Sequence, residues 1–213
     1  WGSPGFAGVG PVDGYVHVNP KGDGNYLGQC QTGAVDDGKC NSKLIGIYNF
    51  ATPGTTGEDI EGHGSHTAST VAGNTWNATY ASGPFTVSGV APHANIVAYK
   101  ACLPAGCSST ATSQSANQAI ADGVDVINYS ISGGTSPWTD ATSTAFRNGV
   151  AAGLFVAASA GNTSTSVPNP IGQVNHMEPW VETVAASTED RIIAVTLDLT
   201  SEASPPANTQ DIP

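Results

Sequence analysis

The sequence contains little positive charge: Lys and Arg number 6 among 213 residues, against 17 Asp and Glu. The formal net charge is −11 at pH 7, so no basic patch exists to hold phosphates. This argues against nucleic acid or an anionic membrane surface as a partner. No apolar run approaches the roughly 18 residues that a membrane span needs. Charged residues make up only 11% and hydrophobic residues 39%, a composition typical of a folded domain.

The length fits one domain with a sizeable core. Residues 1–43 are rich in Gly, Pro, Asn and Asp and are predicted to be loop. From 44 to 186, apolar runs alternate with helical patterns, which predicts an α/β domain with a mainly parallel central sheet flanked by helices. Residues 187–213 form an exit segment. The predicted strands cover 43–50, 95–101, 124–131, 154–159 and 180–186, and the predicted helices begin at His63 and cover 113–122 and 140–152.

Two of these strands, 95–101 and 124–131, have the continuous apolar character of strands buried within a parallel sheet. Ligands of such sheets bind beyond the carboxyl ends of the strands. Two polar segments, 130–134 and 159–162, lie just past predicted strand ends. We therefore expect them to meet at one edge of the sheet.

The four cysteines fall into two close pairs, Cys30 with Cys40 and Cys102 with Cys107, in Gly-rich or Ser-rich stretches. Two local disulfides in an oxidising compartment are the preferred interpretation, and they predict a secreted protein. A zinc site built from all four is the alternative. Neither pair has the Cys-x-x-Cys spacing typical of such sites.

The most informative block is Gly62-His63-Gly64-Ser65-His66-Thr67, which opens a run of small residues with helical spacing. A histidine on a glycine-flanked turn at a helix start is exposed on one side and held on the other. A general base needs this arrangement. The alternative is a structural histidine at the helix start, whose ring N–H donates a hydrogen bond to a backbone carbonyl.

His66, three residues after His63, raises the alternative of a metal site. The other ligands would be Glu58, Asp59 or Glu61. We expect instead that His66 packs against the rest of the helix and that the acidic run 58–61 is a solvated loop. No metal ligand is therefore predicted.

Asn162 ends the block Ser159-Ala160-Gly161-Asn162, which follows a predicted strand. Its amide could donate a hydrogen bond to a developing oxyanion. The alternative is a turn residue that tolerates a left-handed backbone.

These blocks, in this order, resemble the subtilases, the subtilisin-like serine proteases. Residues 62–67 resemble the family's H-G-T-H signature with Ser in place of Thr, and its first histidine is the catalytic one. Residues 88–94, 122–133 and 159–162 resemble, in turn, the segment before a strand, the substrate-binding edge and the oxyanion segment. The two cysteine pairs resemble those of the disulfide-containing subtilases of plants and some secreting bacteria.

The resemblance implies a serine endopeptidase in which His63 takes the proton of a serine and Asn162 stabilises the oxyanion. Protein or peptide substrates would pair as an added strand along one segment, with the first specificity pocket beside it. No cofactor is predicted; calcium is common in subtilases, but no ligand set can be chosen here. Nothing indicates the oligomeric state. The implied substrate-binding residues are Ser130, Ile131, Ser132, Gly133, Ala160 and Gly161.

Two family motifs are missing. The family order is Asp, His, Ser. Asp13 is a near match for the aspartate, but its motif lacks Ser or Thr, and Pro11 would remove a ladder hydrogen bond from a central strand. Ser136 lies before the Asn162 block and is interpreted as a loop serine. We expect the aspartate upstream of residue 1 and the serine beyond residue 213.

On this interpretation, residues 1–213 are one partial catalytic domain that is inactive or nearly so in isolation. The alternative is a non-catalytic relic of a subtilase that binds peptides without cleaving them.

Overall fold

The structure, a computed structural model, describes residues 1–80, 83–169 and 171–187. The predicted exit segment 187–213 lies outside the described residues except for its first member. The described residues contain three α-helices: α1 (His63–Ala72), α2 (Ser109–Asp122) and α3 (Ala141–Ala151). The strands are β1 (Leu27–Gly28), β2 (Leu44–Asn49), β3 (Trp76–Tyr80), β4 (Gly83–Val87), β5 (Ile96–Lys100), β6 (Cys102–Leu103), β7 (Gly106–Cys107), β8 (Val126–Tyr129), β9 (Phe155–Ser159) and β10 (Glu182–Val184).

The helix ends follow from capping residues in the sequence. The Ser108 side chain accepts a hydrogen bond from the Ala111 N–H, so α2 begins four residues earlier than periodicity predicts. Gly123 ends α2 in a left-handed conformation (φ 67°). Asp140 caps α3 in the same way as Ser108, by accepting from the Ser143 N–H.

The described strands form two separate three-stranded parallel sheets, in the orders β1-β2-β5 and β10-β9-β8. The predicted α/β class with parallel strands is confirmed, and the five predicted strands and three helices all occur. A β3-β4 hairpin lies between α1 and β5, where no strand was predicted. Its strands bury little, so they lack the apolar pattern by which the other strands were found.

The prediction that β5 and β8 are buried strands is wrong. All of β5 is only half-buried, and Val126 in β8 is 56% exposed. Both strands are sheet edges in the part of the chain that the structure describes, which leaves one side of each without a neighbouring strand.

Each sheet has its own small apolar core. Cys30, Cys40, Leu44 and Ile47 form the first, and Ala116, Ala145, Phe146 and Val156 form the second. The predicted disulfides Cys30–Cys40 and Cys102–Cys107 are both present. The first closes the loop of residues 31–39, and its cysteines pack against Leu44 and Ile47 of β2. The second closes the β6-β7 ribbon just before α2.

A buried carboxylate joins the first sheet to α2. The side chain of Asp122 accepts hydrogen bonds from the hydroxyls of Tyr48 (2.9 Å) and Tyr99 (2.7 Å), whose rings stack. Gln118 donates a third bond at 2.9 Å. Burial and the neighbouring carboxylate raise the pKa of both tyrosines well above the usual range. Because α2 packs against α3, this cluster ties the first sheet to the second.

Candidate active site

The segment 59–65, which we call the histidine turn, is organised by the carboxylate of Asp59. It accepts hydrogen bonds from the backbone N–H groups of Glu61 (3.0 Å), Gly62 (2.8 Å) and Ser65 (2.8 Å), and from the Ser65 hydroxyl (2.7 Å). Burial would raise the pKa of Asp59, but these four donors outweigh it and hold the pKa well below its usual range. Gly62 has a left-handed backbone (φ 104°), which glycine adopts without steric cost.

His63 is the first residue of α1 and is exposed. Its backbone N–H donates to the Glu61 carboxylate (2.9 Å). Its imidazole has no hydrogen-bond partner among residues 1–80, 83–169 and 171–187, so it is not satisfied by a backbone carbonyl there. The turn therefore fixes the backbone of His63 and leaves its side chain accessible.

The loop before the histidine turn is held by Asp36, which is fully buried. Its carboxylate accepts hydrogen bonds from the Gly57 N–H (2.7 Å) and the Thr56 hydroxyl. Lys39 pairs with both Asp36 (3.0 Å) and Glu58 (2.6 Å). Asp36 and Lys39 lie between Cys30 and Cys40, so the first disulfide loop supports the approach to His63.

Residues 58–61 form a largely exposed loop, as predicted, but Asp59 is half-buried and accepts four hydrogen bonds from the turn, which the prediction did not include. The expectation that His66 packs within the helix is wrong. His66 is exposed, and within α1 only Ala72 is buried. The described residues contain no group of three or more His, Cys, Asp or Glu side chains placed to hold a metal ion.

The recorded hydrogen bonds of Asp13 and Ser136 go to residues outside the histidine turn. The Asp13 carboxylate accepts from the Tyr15 N–H (3.0 Å) and bonds the ring of His93 (3.0 Å), and these contacts lower the pKa of Asp13. Ser136 occupies a turn before α3, where its carbonyl accepts from the Thr139 N–H. The structure places neither side chain in hydrogen-bond contact with His63.

The two polar segments past the strand ends lie together, as predicted. Tyr129 at the end of β8 pairs with Ala158 in β9, so residues 130–133, which we call the edge segment, leave the sheet beside 159–162. Asn175 bridges them. Its side-chain oxygen accepts from the Gly133 N–H (2.9 Å), and its backbone N–H donates to the Ala160 carbonyl (3.0 Å).

Gly161 makes this bridge possible. Its backbone is left-handed (φ 90°), and a Cβ at this position would collide with the amide nitrogen of Asn175. No sequence motif pointed to Asn175, because its partners lie 42 and 15 residues away.

Asn162 follows β9 and is exposed, and its side chain forms no hydrogen bond to the described residues. Its amide is free to donate to a ligand. Asn162 lies past the end of β9, which belongs to the second sheet, whereas the helix of His63 packs against β5 in the first sheet. No described hydrogen bond joins the two residues.

A cavity of about 140 Å³ lies beside the edge segment. Its lining includes Thr112 of α2, Tyr129 of β8, Ile131 and Gly133 of the edge segment, and the buried side chain of His176. The cavity is large enough for a small side chain of a bound peptide.

Comparison with known proteins identifies the chain. Residues 12–207 match the model of the subtilase family. The chain belongs to the subtilase family. Two Arabidopsis thaliana subtilases illustrate the relationship. The subtilisin-like protease SBT4.10 is 45% identical over 158 residues, which cover 72% of this chain and 22% of that protein. The subtilisin-like protease SBT1.3 is 37% identical over 195 residues, covering 82% and 24%. This subtilase chain thus spans about a quarter or less of the length of these curated relatives.

Among solved structures, a cold adapted subtilisin-like serine proteinase aligns with a TM-score of 0.45 and 23% identity, covering 75% of this chain and 54% of that one. Sphericase aligns with a TM-score of 0.43 and 24% identity, covering 75% and 53%.

Proposed function

We propose that this subtilase chain is part of a serine endopeptidase that hydrolyses proteins or peptides, with His63 as its general base. Membership of the family supports a protease. The observation that carries the assignment is the histidine turn, in which four hydrogen bonds to Asp59 fix the backbone around an exposed imidazole.

In the proposed reaction, His63 accepts the hydroxyl proton of a serine as the oxygen attacks the peptide carbonyl, and then returns that proton to the leaving amine. Asn162 donates its side-chain N–H to the oxyanion that forms. The aspartate and the serine would come from parts of the protein outside residues 1–213. The substrate backbone would pair as an added strand along the edge segment.

A secreted location is part of the proposal. The structure contains two disulfides, Cys30–Cys40 and Cys102–Cys107. Disulfides form and persist in oxidising compartments, such as the extracellular space. Among the described residues, no helix is both long and apolar enough to cross a membrane.

A second candidate is a peptide-binding relic without catalysis. The observation that favours it is that no serine hydroxyl and no carboxylate bonds the imidazole of His63 in the described part of the chain. Such a protein would bind extended peptides along the edge segment and leave them intact.

The experiment compares the full-length protein with three variants on a fluorogenic peptide. We expect His63→Ala to lower kcat/KM by roughly 10⁶-fold, because the base and nucleophile act as one unit. Asn162→Ala should lower kcat by about 10²–10³-fold, the effect of losing one oxyanion donor. His66→Ala is the matched control, since His66 is exposed on the same helix; its activity should stay within about twofold of the unmutated protein.

Three outcomes would contradict the proposal. Peptide binding without hydrolysis by the unmutated protein would favour the relic. Equal losses in His63→Ala and His66→Ala, together with inhibition by a chelator, would indicate metal-dependent hydrolysis. Labelling of a serine within residues 1–213 by a fluorophosphonate probe would place the nucleophile in this chain.

A further inference from the structure

Beneath the edge segment lies a buried histidine whose role the proposed mechanism leaves open. His176 is only 2% exposed and has a left-handed backbone (φ 49°), the only non-glycine residue among those described with a positive φ. Its backbone N–H donates to the Gly133 carbonyl (2.8 Å), and its Nε2 lies 2.8 Å from the Ile131 carbonyl. A single residue thus contacts the edge segment at two points.

The partners of His176 determine where its protons lie. A carbonyl oxygen only accepts hydrogen bonds, so Nε2 must carry the proton shared with Ile131. The other ring nitrogen, Nδ1, lies 3.2 Å from a carboxylate oxygen of Glu178, whose side chain is fully buried. A carboxylate oxygen likewise only accepts hydrogen bonds, so both contacts are hydrogen bonds when each ring nitrogen carries a proton, and together they fix the orientation of the imidazole toward Ile131.

Glu178 is itself held in place. The Ser143 hydroxyl, at the start of α3, lies 2.5 Å from the Glu178 oxygen that faces His176. The second carboxylate oxygen is buried without a hydrogen-bond partner among the described residues. A buried carboxylate is costly unless it is paired, so the contact with His176 accounts for its presence.

Gly134, which follows the edge segment directly, lies close to His176 and Glu178. A Cβ on Gly134 would lie 2.6 Å from Nδ1 of His176 and closer still to the Glu178 carboxylate. The backbone can therefore rest directly on the two side chains only because glycine occupies this position.

We propose that His176 and Glu178 are positioning residues. They fix the position and the pairing register of the edge segment for an incoming peptide; this role rests on the proposed function. The carbonyls of Ile131 and Gly133, two residues apart, both face His176, as they would in a segment whose backbone groups alternate in direction. The groups of Ser130 and Ser132 therefore face the opposite side, where a substrate strand can pair with them.

The test uses the full-length protein with His176→Ala, His176→Gln and Glu178→Gln. The first readout is deuterium exchange of the peptide that contains residues 131–134. The second is the ratio of KM values for a hexapeptide amide and for a single-residue ester, which makes few contacts with the edge segment. His17→Ala is the matched control, because His17 is 3% exposed but bonds Asn74, away from this segment.

We expect His176→Ala to accelerate exchange of residues 131–134 and to raise KM for the hexapeptide by about tenfold or more, with little change in kcat or in ester hydrolysis. His176→Gln keeps a donor for Ile131 and should restore part of both effects. Glu178→Gln removes the charge that orients the ring. If His176→Ala fails to fold, the exchange rate of residues 131–134 and the KM for the hexapeptide are measured on Glu178→Gln, and both should rise. The control should change neither.

Unchanged exchange and unchanged KM in all three variants would overturn the proposal, as would equal effects of His17→Ala. A protein that cleaves neither substrate would refute the proposed function alone. Deuterium exchange would then still decide whether the two residues position the segment.

Discussion

Asp59 holds the histidine turn from a half-exposed position, whereas His176 and Glu178 hold the edge segment from positions no more than 3% exposed. In the histidine turn, the Asp59 carboxylate accepts hydrogen bonds from backbone N–H groups, and solvent can reach this carboxylate. Beneath the edge segment, the two side chains are enclosed and the backbone rests on them. The two regions should therefore respond to different perturbations, the turn to protonation and the edge segment to added volume.

The largest expected effect tests the edge segment by adding one methyl group. Gly134→Ala combines a left-handed backbone (φ 65°) with a Cβ that meets His176 and Glu178. We expect the free energy of unfolding to fall by about 3 kcal/mol, the sum of backbone strain and overpacking. Urea denaturation followed by tryptophan fluorescence would measure it.

The control for this substitution is Gly14→Ala, because Gly14 has nearly the same φ (68°) and no heavy atom lies within 4 Å of the place that an added methyl group would occupy. It should cost about 1 kcal/mol, the backbone strain alone. Equal losses for the two variants would mean that the edge segment does not rest on the buried pair.

A smaller effect is expected at the histidine turn. Asp59→Asn should destabilise the protein by about 1–2 kcal/mol at pH 7, because the amide replaces one of the two accepting oxygens with a donor. Asp23→Asn is the control, since Asp23 is exposed in a loop. Urea denaturation of both variants at pH 7 would measure the difference, and equal losses would contradict the role given to Asp59.

The same carboxylate predicts a pH dependence. Its pKa is lower in the folded protein than in the unfolded chain, so its contribution is complete above about pH 4, near the unfolded pKa. The contribution declines as the pH falls below that value toward the folded pKa. Urea denaturation at pH 5 and pH 3 should therefore show that Asp59→Asn loses less stability than the unmutated protein over this interval, by roughly the 1–2 kcal/mol assigned to the hydrogen bonds of Asp59.

A second pH dependence concerns Lys43, a buried residue just before β2. Its ammonium donates to the carbonyls of Pro92 and Ala94 (both 2.6 Å), and burial lowers the pKa of Lys43 to about 8. The unfolded chain then binds more protons than the folded protein from about pH 8 to about pH 10.4, so stability should rise over that interval. Lys43→Met should flatten this rise; the same slope in unfolding experiments at pH 8 and pH 10 would contradict the assignment.

The elements found from the sequence are those with local signals. The start of α1 at His63 follows from a glycine-flanked turn, and the strands around Ile47 and Val156 follow from short apolar runs. Parallel pairing then places the segments after β8 and β9 together, as expected.

The supporting residues could not be found in this way. Asn175, His176 and Glu178 act on partners up to 45 residues distant, and Asp59 was indistinguishable from an ordinary acidic loop. Their roles depend on burial and on which backbone groups face them. Neither property is encoded in a short motif.

The separation of the two sheets has a consequence for cooperativity. No ladder hydrogen bond joins β5 to β8 in the described residues, so strand pairing in one sheet does not align the strands of the other. The helix α2 connects the two sheets, and it is held to the first sheet by the hydroxyls of Tyr48 and Tyr99, which donate to Asp122. Tyr99→Phe removes one hydrogen bond between α2 and the first sheet. In urea denaturation, this variant should show two unfolding transitions, one for each sheet, in place of one.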